Sequence, residues 1–365
     1  MTVPELKNMA GAIRCDIIEM ITAANAGHPG GSLSAADIVT ALYFRIMRID
    51  PKNPGWPDRD RFILSKGHAA PILWAAYAEA GFIDAGELAN LRKIGSVLEG
   101  HPTARMPLAK IATGSLGQGL SAGVGMALAK RLKGSTGRVY VLLGDGECAE
   151  GAIWEAANSA SHYTLASLCA IVDANRLGQS GPTMHQHDLA HYAKKFEAFG
   201  WDALVVDGHD MQEVLDAFKH AGSCSRPCAI IAKTVKGKGV SILENSGGWH
   251  GKPLSRAQLE TALGEIGAAD VRLPSRVTSM PVSHTPSGFK PGIYRKDEML
   301  STREAFGRAL VRLGRTDSTA VALDADVMNS TMTEGFFREF PERGFQTFIA
   351  EQNMAGMAAG FSALG

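Results

Sequence analysis

The sequence predicts an α/β fold: a doubly wound parallel sheet followed by the start of a second α/β domain. Residues 139–143 (VYVLL) and 168–172 (LCAIV) are continuous apolar runs ending in Gly/Asp and Asp/Asn, the pattern of strands buried on both faces. Residues 153–163 between them read as a helix, which completes a strand, helix, strand unit. A third apolar run at 229–232 (AIIA) follows a helical stretch at 211–220.

Taken in chain order, Leu6, Met9, Ala10, Ile13, Ile17, Met20 and Ile21 recur at spacings of three and four, one face of an amphipathic helix that stops at Gly27. Ser34 and Asp37 stand at capping-box spacing before Ile38, Val39, Leu42 and Tyr43, which predicts a second helix starting at Ser34. A glycine-rich turn leads into a helix over 120–133. Residues 271–296 carry Pro274, Pro281, Pro286 and Pro291 in a Ser/Thr-rich stretch without periodicity and read as a linker. The linker separates a first domain, 1–270, from a second region, 297–365. There Ser301 caps a helix through Leu313, 320–323 (AVAL) predicts a strand, 334–340 a short helix, 346–350 a strand and 354–364 a further helix. So short a region has little core of its own and needs a partner surface.

Composition narrows the function classes. The chain has 365 residues with 37 Lys+Arg against 37 Asp+Glu, so it carries no global field to hold nucleic acid or an acidic membrane. Anionic ligands must therefore meet local donors. The longest apolar stretch, 69–78, is about half of what a bilayer crossing needs. The opening MTVPELKNM lacks the shape of a signal peptide, and five scattered cysteines offer no closed disulfide framework, so a cytoplasmic location is expected.

Gly144-Asp145-Gly146-Glu147 stands at the carboxyl end of a buried strand, and Asn175 at the end of the next. Carboxyl ends are where open α/β sheets bind ligands. A carboxylate and an amide oxygen suit Mg²⁺, which takes oxygen donors and completes its shell with phosphates, and flanking glycines let backbone approach a diphosphate. Gly114-Ser115-Leu116-Gly117-Gln118-Gly119 presents free backbone N–H groups at a helix start. His28, His68, His101 and His250 each lie in a Gly- or Pro-marked loop, which favours a polar pocket for a hydroxylated substrate, with imidazoles able to exchange protons near neutrality. Two metal-like patterns read as decoys: His185, His187 and His191 lack a second ligand group, and Cys224 and Cys228 lack a second Cys/His pair. The run 233–239 (KTVKGKG) leaves the same sheet edge as the Gly-Asp-Gly turn and could cover a phosphate, or be a solvated basic loop. Glu351 falls where a strand turns into a helix, a place where carboxylates commonly serve the helix dipole.

Seven ordered motifs, Gly27-His28-Pro29, Ser65-Lys66-Gly67-His68-Ala69-Ala70, the 114–119 turn, Gly144-Asp145-Gly146-Glu147, the 173–180 run DANRLGQS, Trp249-His250-Gly251-Lys252-Pro253 and Ile349-Ala350-Glu351-Gln352-Asn353-Met354, together resemble transketolase of the shorter, animal type. The resemblance is collinear over essentially the whole chain but covers only the first half or so of a transketolase. It implies thiamine diphosphate and a divalent cation, Mg²⁺ or Ca²⁺, with Asp145, Asn175 and the Leu177 carbonyl as metal ligands. Gly146, His68, Lys236 and the Gly114, Ser115, Leu116 turn would contact the cofactor, with Asn175 and His250 beside it. His28, His101 and His250 would line the substrate channel, hold sugar hydroxyls and move protons. Arg303 and Ser330 match positions that bind the sugar phosphate, and Glu351 matches the glutamate that hydrogen-bonds N1′ of the aminopyrimidine. The implied activity is transfer of a two-carbon ketol unit from a ketose phosphate to an aldose phosphate, in the pentose phosphate pathway, by a homodimer whose active site lies at the subunit interface. Gly31 stands where the animal branch has a serine. A separate C-terminal chain is one source for the rest of the family's pattern, a longer natural or proteolysed polypeptide another, and the 365 residues by themselves are expected to show little ketol transfer. A partner-requiring cofactor-binding fragment, 1-deoxyxylulose-5-phosphate synthase and dihydroxyacetone synthase are the alternative readings.

Overall fold

The computed structural model describes residues 1–267, 292, 294–295 and 297–365. The predicted linker, 271–296, falls almost wholly outside the described residues. The chain opens with helix α1 (Val3–Ala24), whose Thr2 and Glu5 form a capping box and whose C-cap is Asn25 in the left-handed conformation. It stops two residues ahead of the predicted Gly27. Helices α2 (Pro29–Ser34) and α3 (Ala36–Ala41) follow and run into one π-helical turn, 42–46.

The predicted start of a helix at Ser34 is corrected here. Ser34 ends α2, and its hydroxyl lies 2.6 Å from Asp173 Oδ2, while Asp37 pairs with Arg14. Both side chains of the apparent capping box are claimed by distant partners, which local spacing cannot register.

A five-stranded parallel sheet follows, with β1 (Arg61–Leu64), β2 (Val139–Gly144), β3 (Leu168–Ala174), β4 (Asp202–Asp207) and β5 (Cys228–Lys233) in the order β1-β2-β3-β5-β4. The three strands predicted from apolar runs are its centre. The edge strands were not predicted: β1 is four residues long and opens on Arg61, and β4 is half exposed with acids at both ends. Helices α4 (Ala70–Glu79), α5 (Gly119–Leu132), α6 (Gly151–His162), α7 (Leu189–Ala198), α8 (Met211–Ser223) and α9 (Arg256–Ile266) complete the first region. The apolar run at 69–78 is accounted for by α4, which is buried on every side with Trp74 in the core. Alternate strand residues feed two cores: Tyr140, Leu142, Ile171 and Ile230 meet α1, α3 and α8, while Val141, Leu143, Val172 and Ile231 meet α5, α6 and α7.

The second region comprises α10 (Thr302–Thr316), capped by Ser301 with Glu304, then β6 (Ala322–Asp324), α11 (Met328–Thr331), α12 (Glu334–Glu339), β7 (Gly344–Gln346) and α13 (Glu351–Ser362). Strands β6 and β7 pair in parallel. The partner surface this region needs is the first region itself, because Phe345, Met357 and Phe361 join the core around α5. Small residues set the closeness of α5 and α13. A Cβ on Gly125 would stand 2.1 Å from the Met357 carbonyl oxygen, and one on Gly360 2.1 Å from that of Ala122.

Backbone on the far side cannot yield as a flexible side chain would, so Gly360→Val is expected to force α13 off α5. The expected loss is about 1–3 kcal/mol, in the range of overpacked cores. A lowered urea midpoint, with α13 amides losing hydrogen-exchange protection first, checks it.

Candidate cofactor and substrate site

A cavity of about 340 Å³ opens at the carboxyl ends of the strands, bounded by His28, Gly31, Lys66, His68, His101, Gly114, Leu116, residues 144–147, Asn175, Leu177, Thr183, Lys236 and His250. Beneath it, behind Lys66 and Asn175 and with no exposed surface, lies Asp173, the penultimate residue of β3. Four groups converge on that carboxylate. Lys66 Nζ and the Thr234 hydroxyl donate to it at very short range, the Ser34 hydroxyl at 2.6 Å and Asn175 Nδ2 at 2.9 Å. Burial pushes the Asp173 carboxyl up, but the Lys66 ammonium together with the hydrogen bonds from Lys66, Ser34 and Thr234 outweighs that and holds it below the usual range. Asp173 is thus the knot that ties α2, the loop after β1, the loop after β3 and the loop after β5 to one point.

Above Asp173 lies the oxygen-rich corner expected from the Gly-Asp-Gly turn. Asp145 Oδ1 accepts from Gly146 N–H, and Oδ2 from Arg176 N–H and the Thr183 hydroxyl. Burial raises the Asp145 pKa, with the Asp173 charge adding to it against the Thr183 bond. Asn175 spends its Nδ2 on Asp173, so Oδ1, which accepts from Leu177 N–H at 3.2 Å, is the amide atom left for a cation. Lys236 Nζ donates to the carbonyls of Leu177 at 2.8 Å and Gly178 at 2.9 Å and stands 3.1 Å from His250 Nδ1. Its ammonium is a stand-in cation on the Leu177 carbonyl, and desolvation with the Lys66 charge pulls its pKa down to about 8. A buried carboxylate, an amide oxygen and a carbonyl already bound to a positive group fit a hard divalent cation and the diphosphate it would carry.

The histidines form the opposite wall. His28 has ring centroids 5.3 Å from His68, 5.1 Å from His250 and 6.2 Å from His101, and His68 lies 4.9 Å from His250. Desolvation, then neighbouring positive charge, lowers His28 and His250 to about 4 and His68 to about 2, so all three are neutral at neutral pH. His28 Nδ1 is buried with no hydrogen-bond partner among the described residues. Gly114 admits His101: at φ 137° it tolerates a conformation that disfavours side chains, and a Cβ there would meet the His101 ring at 2.6 Å. Gly31, by contrast, has room, since a Cβ would meet His68 Nε2 at 3.6 Å and Lys66 Nζ at 3.9 Å, ordinary contacts.

Several expected residues lie elsewhere. Ser115 is exposed and its hydroxyl accepts from Gln118. Glu351 is the exposed first residue of α13, while Arg303 on α10 and Ser330 on α11 are also exposed, and none of these lines the cavity. Nearby, Asn353 N–H donates to Glu155, which fixes the start of α13 against α6. His187 Nε2 is bonded to the Thr234 carbonyl, and His185 stacks on His191, so that trio assembles no ligand set. Motif reading missed the roles of Lys66, Asp173, Glu147 and Thr183. Glu147, fully desolvated, accepts from Gly117 N–H and Gly144 N–H at 2.9 Å each and from the Ser65 hydroxyl, locking the 114–119 turn to the Gly-Asp-Gly turn. An acid at the end of an otherwise apolar strand was the one available signal for Asp173.

Against known proteins, residues 6–283 match the family described as transketolase, thiamine diphosphate binding domain, and 298–365 the transketolase pyrimidine binding domain. The chain belongs to the transketolase family. It is 46% identical over 363 residues to transketolase of Homo sapiens, covering 97% of this chain and 58% of the human protein. It is 44% identical over 377 residues to transketolase-like protein 2 of Mus musculus, covering 100% of this chain and 60% of that protein. The crystal structure of Campylobacter jejuni transketolase superposes with a TM-score of 0.89 at 28% identity, over 100% of this chain and 64% of that one. The chain thus spans about three fifths of the length of these transketolases, and its fold is theirs. Among the described residues no helix is long and apolar enough to cross a membrane.

Lys66→Met would leave the Asp173 carboxylate buried without its counter-charge, at a cost of about 3–5 kcal/mol. Urea unfolding measures it, and Lys66→Met with Asp173→Asn should recover part of the loss. The histidine wall makes a second expectation. His28 is expected to titrate near pH 4 by NMR, well below the ordinary 6.5. Because the unfolded chain takes up that proton first, stability should fall as pH drops from about 6.5 towards 4. His28→Gln should flatten this part of the melting-temperature profile.

Proposed function

We propose that this chain carries the diphosphate-binding half of a transketolase active site and takes part in two-carbon ketol transfer from a ketose phosphate to an aldose phosphate. The observation that supports this most is the cavity itself, in which an oxygen corner for a cation and a wall of neutral imidazoles face each other within one parallel-sheet edge. Asp145, Asn175 and the Leu177 carbonyl would hold Mg²⁺ or Ca²⁺, with the Lys236 ammonium turning from Leu177 to the diphosphate. Gly146, His68 and the Gly114, Ser115, Leu116 turn would hold the rest of the cofactor. Bound thiamine diphosphate would supply a nucleophilic carbon and an electron sink for cleaving the ketose bond between C2 and C3.

The chain's own residues do the positioning and the proton work. His28, His101 and His250, neutral because they are desolvated, hydrogen-bond sugar hydroxyls and exchange protons at the hydroxyl and carbonyl oxygens of donor and acceptor. Glu351, away from the cavity of its own chain, would hydrogen-bond the aminopyrimidine of the cofactor held by a second copy, and Arg303 and Ser330 would hold the sugar phosphate. The active unit on this reading is a homodimer in which residues 1–270 of one subunit face 297–365 of the other.

Subunit complementation in the complete enzyme tests this. Asp145→Asn is expected to weaken thiamine diphosphate binding in Mg²⁺ at least tenfold by calorimetry. Glu351→Gln should leave that binding within about twofold and abolish hydrogen exchange at the thiazolium C2. Mixing the two inactive variants should restore part of the turnover of xylulose 5-phosphate with ribose 5-phosphate, because a mixed dimer has one intact site. Absence of any recovery in verified mixed dimers would overturn the shared site.

A further inference from the structure

At the amino-terminal edge of the sheet, opposite the cavity, the strand register sets Cys169 of β3, Cys228 of β5 and Asp202 of β4 side by side. Helix α8 then delivers His220 from its last turn and Cys224 from its C-cap, four residues on. His220 Nε2 stands 3.0 Å from Asp202 Oδ2, and Cys224 Sγ stands 3.3 Å from the same oxygen. The nitrogen, sulfur and oxygen ligand atoms all lie within 4.8 Å of one another, the one such group of metal-ligating side chains among the described residues. Behind them lie the buried free thiols of Cys228 and Cys169, opposite each other on β5 and β3.

These separations approach those of a coordination shell. Ligands about 2.0 Å (N, O) and 2.3 Å (S) from a tetrahedral ion stand roughly 3.3–3.5 Å apart, so the two edges that meet at Asp202 need little adjustment. The third edge, between His220 and Cys224, lies within 4.8 Å. Mg²⁺ and Ca²⁺ take oxygen donors, whereas one sulfur, one nitrogen and one oxygen suit a borderline-soft ion without geometric demands of its own. The His220 side chain is 47% exposed and that of Asp202 30%, which gives an ion a way in and leaves a position for water.

We infer that Asp202, His220 and Cys224 form a zinc site at the sheet edge opposite the cofactor cavity, with water as the fourth ligand. The site joins the end of α8 to the start of β4, the edge strand. In the metal-free state burial and the Asp202 carboxylate push the Cys224 thiol up to about 12. Zinc reverses the sign of that local field, so binding releases the thiol proton. Spacing alone argues against zinc at Cys224 and Cys228; the inferred site takes one ligand from that pair, Cys224, and the other two from residues that only folding brings near.

The full chain, metal-free, reduced with a non-thiol reductant and without cofactor, is titrated first with Co²⁺ as a spectroscopic probe and then with Zn²⁺. One equivalent of Co²⁺ should bind with a thiolate-to-metal charge-transfer band, Zn²⁺ should displace it, and Zn²⁺ should raise the melting temperature. Cys224→Ser should abolish the band. Asp202→Asn and His220→Gln should each weaken Zn²⁺ at least tenfold, and His220→Gln, at an exposed side chain, keeps the test independent of folding. Asp145→Asn, in the cofactor cavity, should leave the zinc titration unchanged. Absence of a thiolate band, its persistence in Cys224→Ser, or equal Zn²⁺ affinity in His220→Gln and the unaltered chain overturns the site.

Discussion

The cavity end of this protein depends on one buried charge, Asp173. A carboxylate with no exposed surface is costly to keep ionised, and what keeps it so is the Lys66 ammonium with three further donors, from Ser34, Thr234 and Asn175. Each donor sits on a different segment, so satisfying this single group fixes the relative positions of α2 and the loops after β1, β3 and β5. The cavity residues are neighbours of those donors: Gly31 precedes Ser34, His68 follows Lys66, Lys236 follows Thr234, and Asn175 serves both. Glu147 does the same for the glycine turns above it. Two buried carboxylates thereby hold in place the loops that would receive an anionic ligand.

On the proposed reading, a chain of zero formal charge would meet phosphorylated ligands through local donors alone. Lys66 is already paired with Asp173, so the donors left for an anion are Lys236 and backbone N–H groups, while the imidazoles stay neutral because they are desolvated. The second region docks through the glycines of α5 and α13 and leaves Glu351 outside the cavity of its own chain. That geometry is what makes a partner subunit part of the functional reading.

Much of the fold was legible in the amino-acid sequence because it rests on short-range patterns. The central strands β2, β3 and β5 are apolar on both faces, so their runs are continuous, and α10 carries its capping box in adjacent residues. The edge strands were not legible, since half-exposed β4 alternates weakly and β1 is short. Ser34 and Asp37 show the opposite failure, a local pattern overridden by long-range bonds to Asp173 and from Arg14.

Among site residues, Asp145, Asn175, Lys236 and the four loop histidines were marked by glycine-rich turns at strand ends, and the structure gathers them in one cavity. Lys66 and Glu147 stood inside those turns with no sign of their roles, Thr183 carried no mark, and Asp173 had only its place at the end of an apolar strand. By itself the sequence determined the class of fold, the family and the chemistry available at the strand ends, because glycine turns, apolar runs and ordered motifs are read along the chain. The tertiary structure decided which carboxylates are structural and which face the cavity, that the imidazoles are neutral, where α13 docks, and that Asp202, His220 and Cys224 meet. Those depend on burial and on contacts between residues far apart in the chain, and both come into being only when it folds.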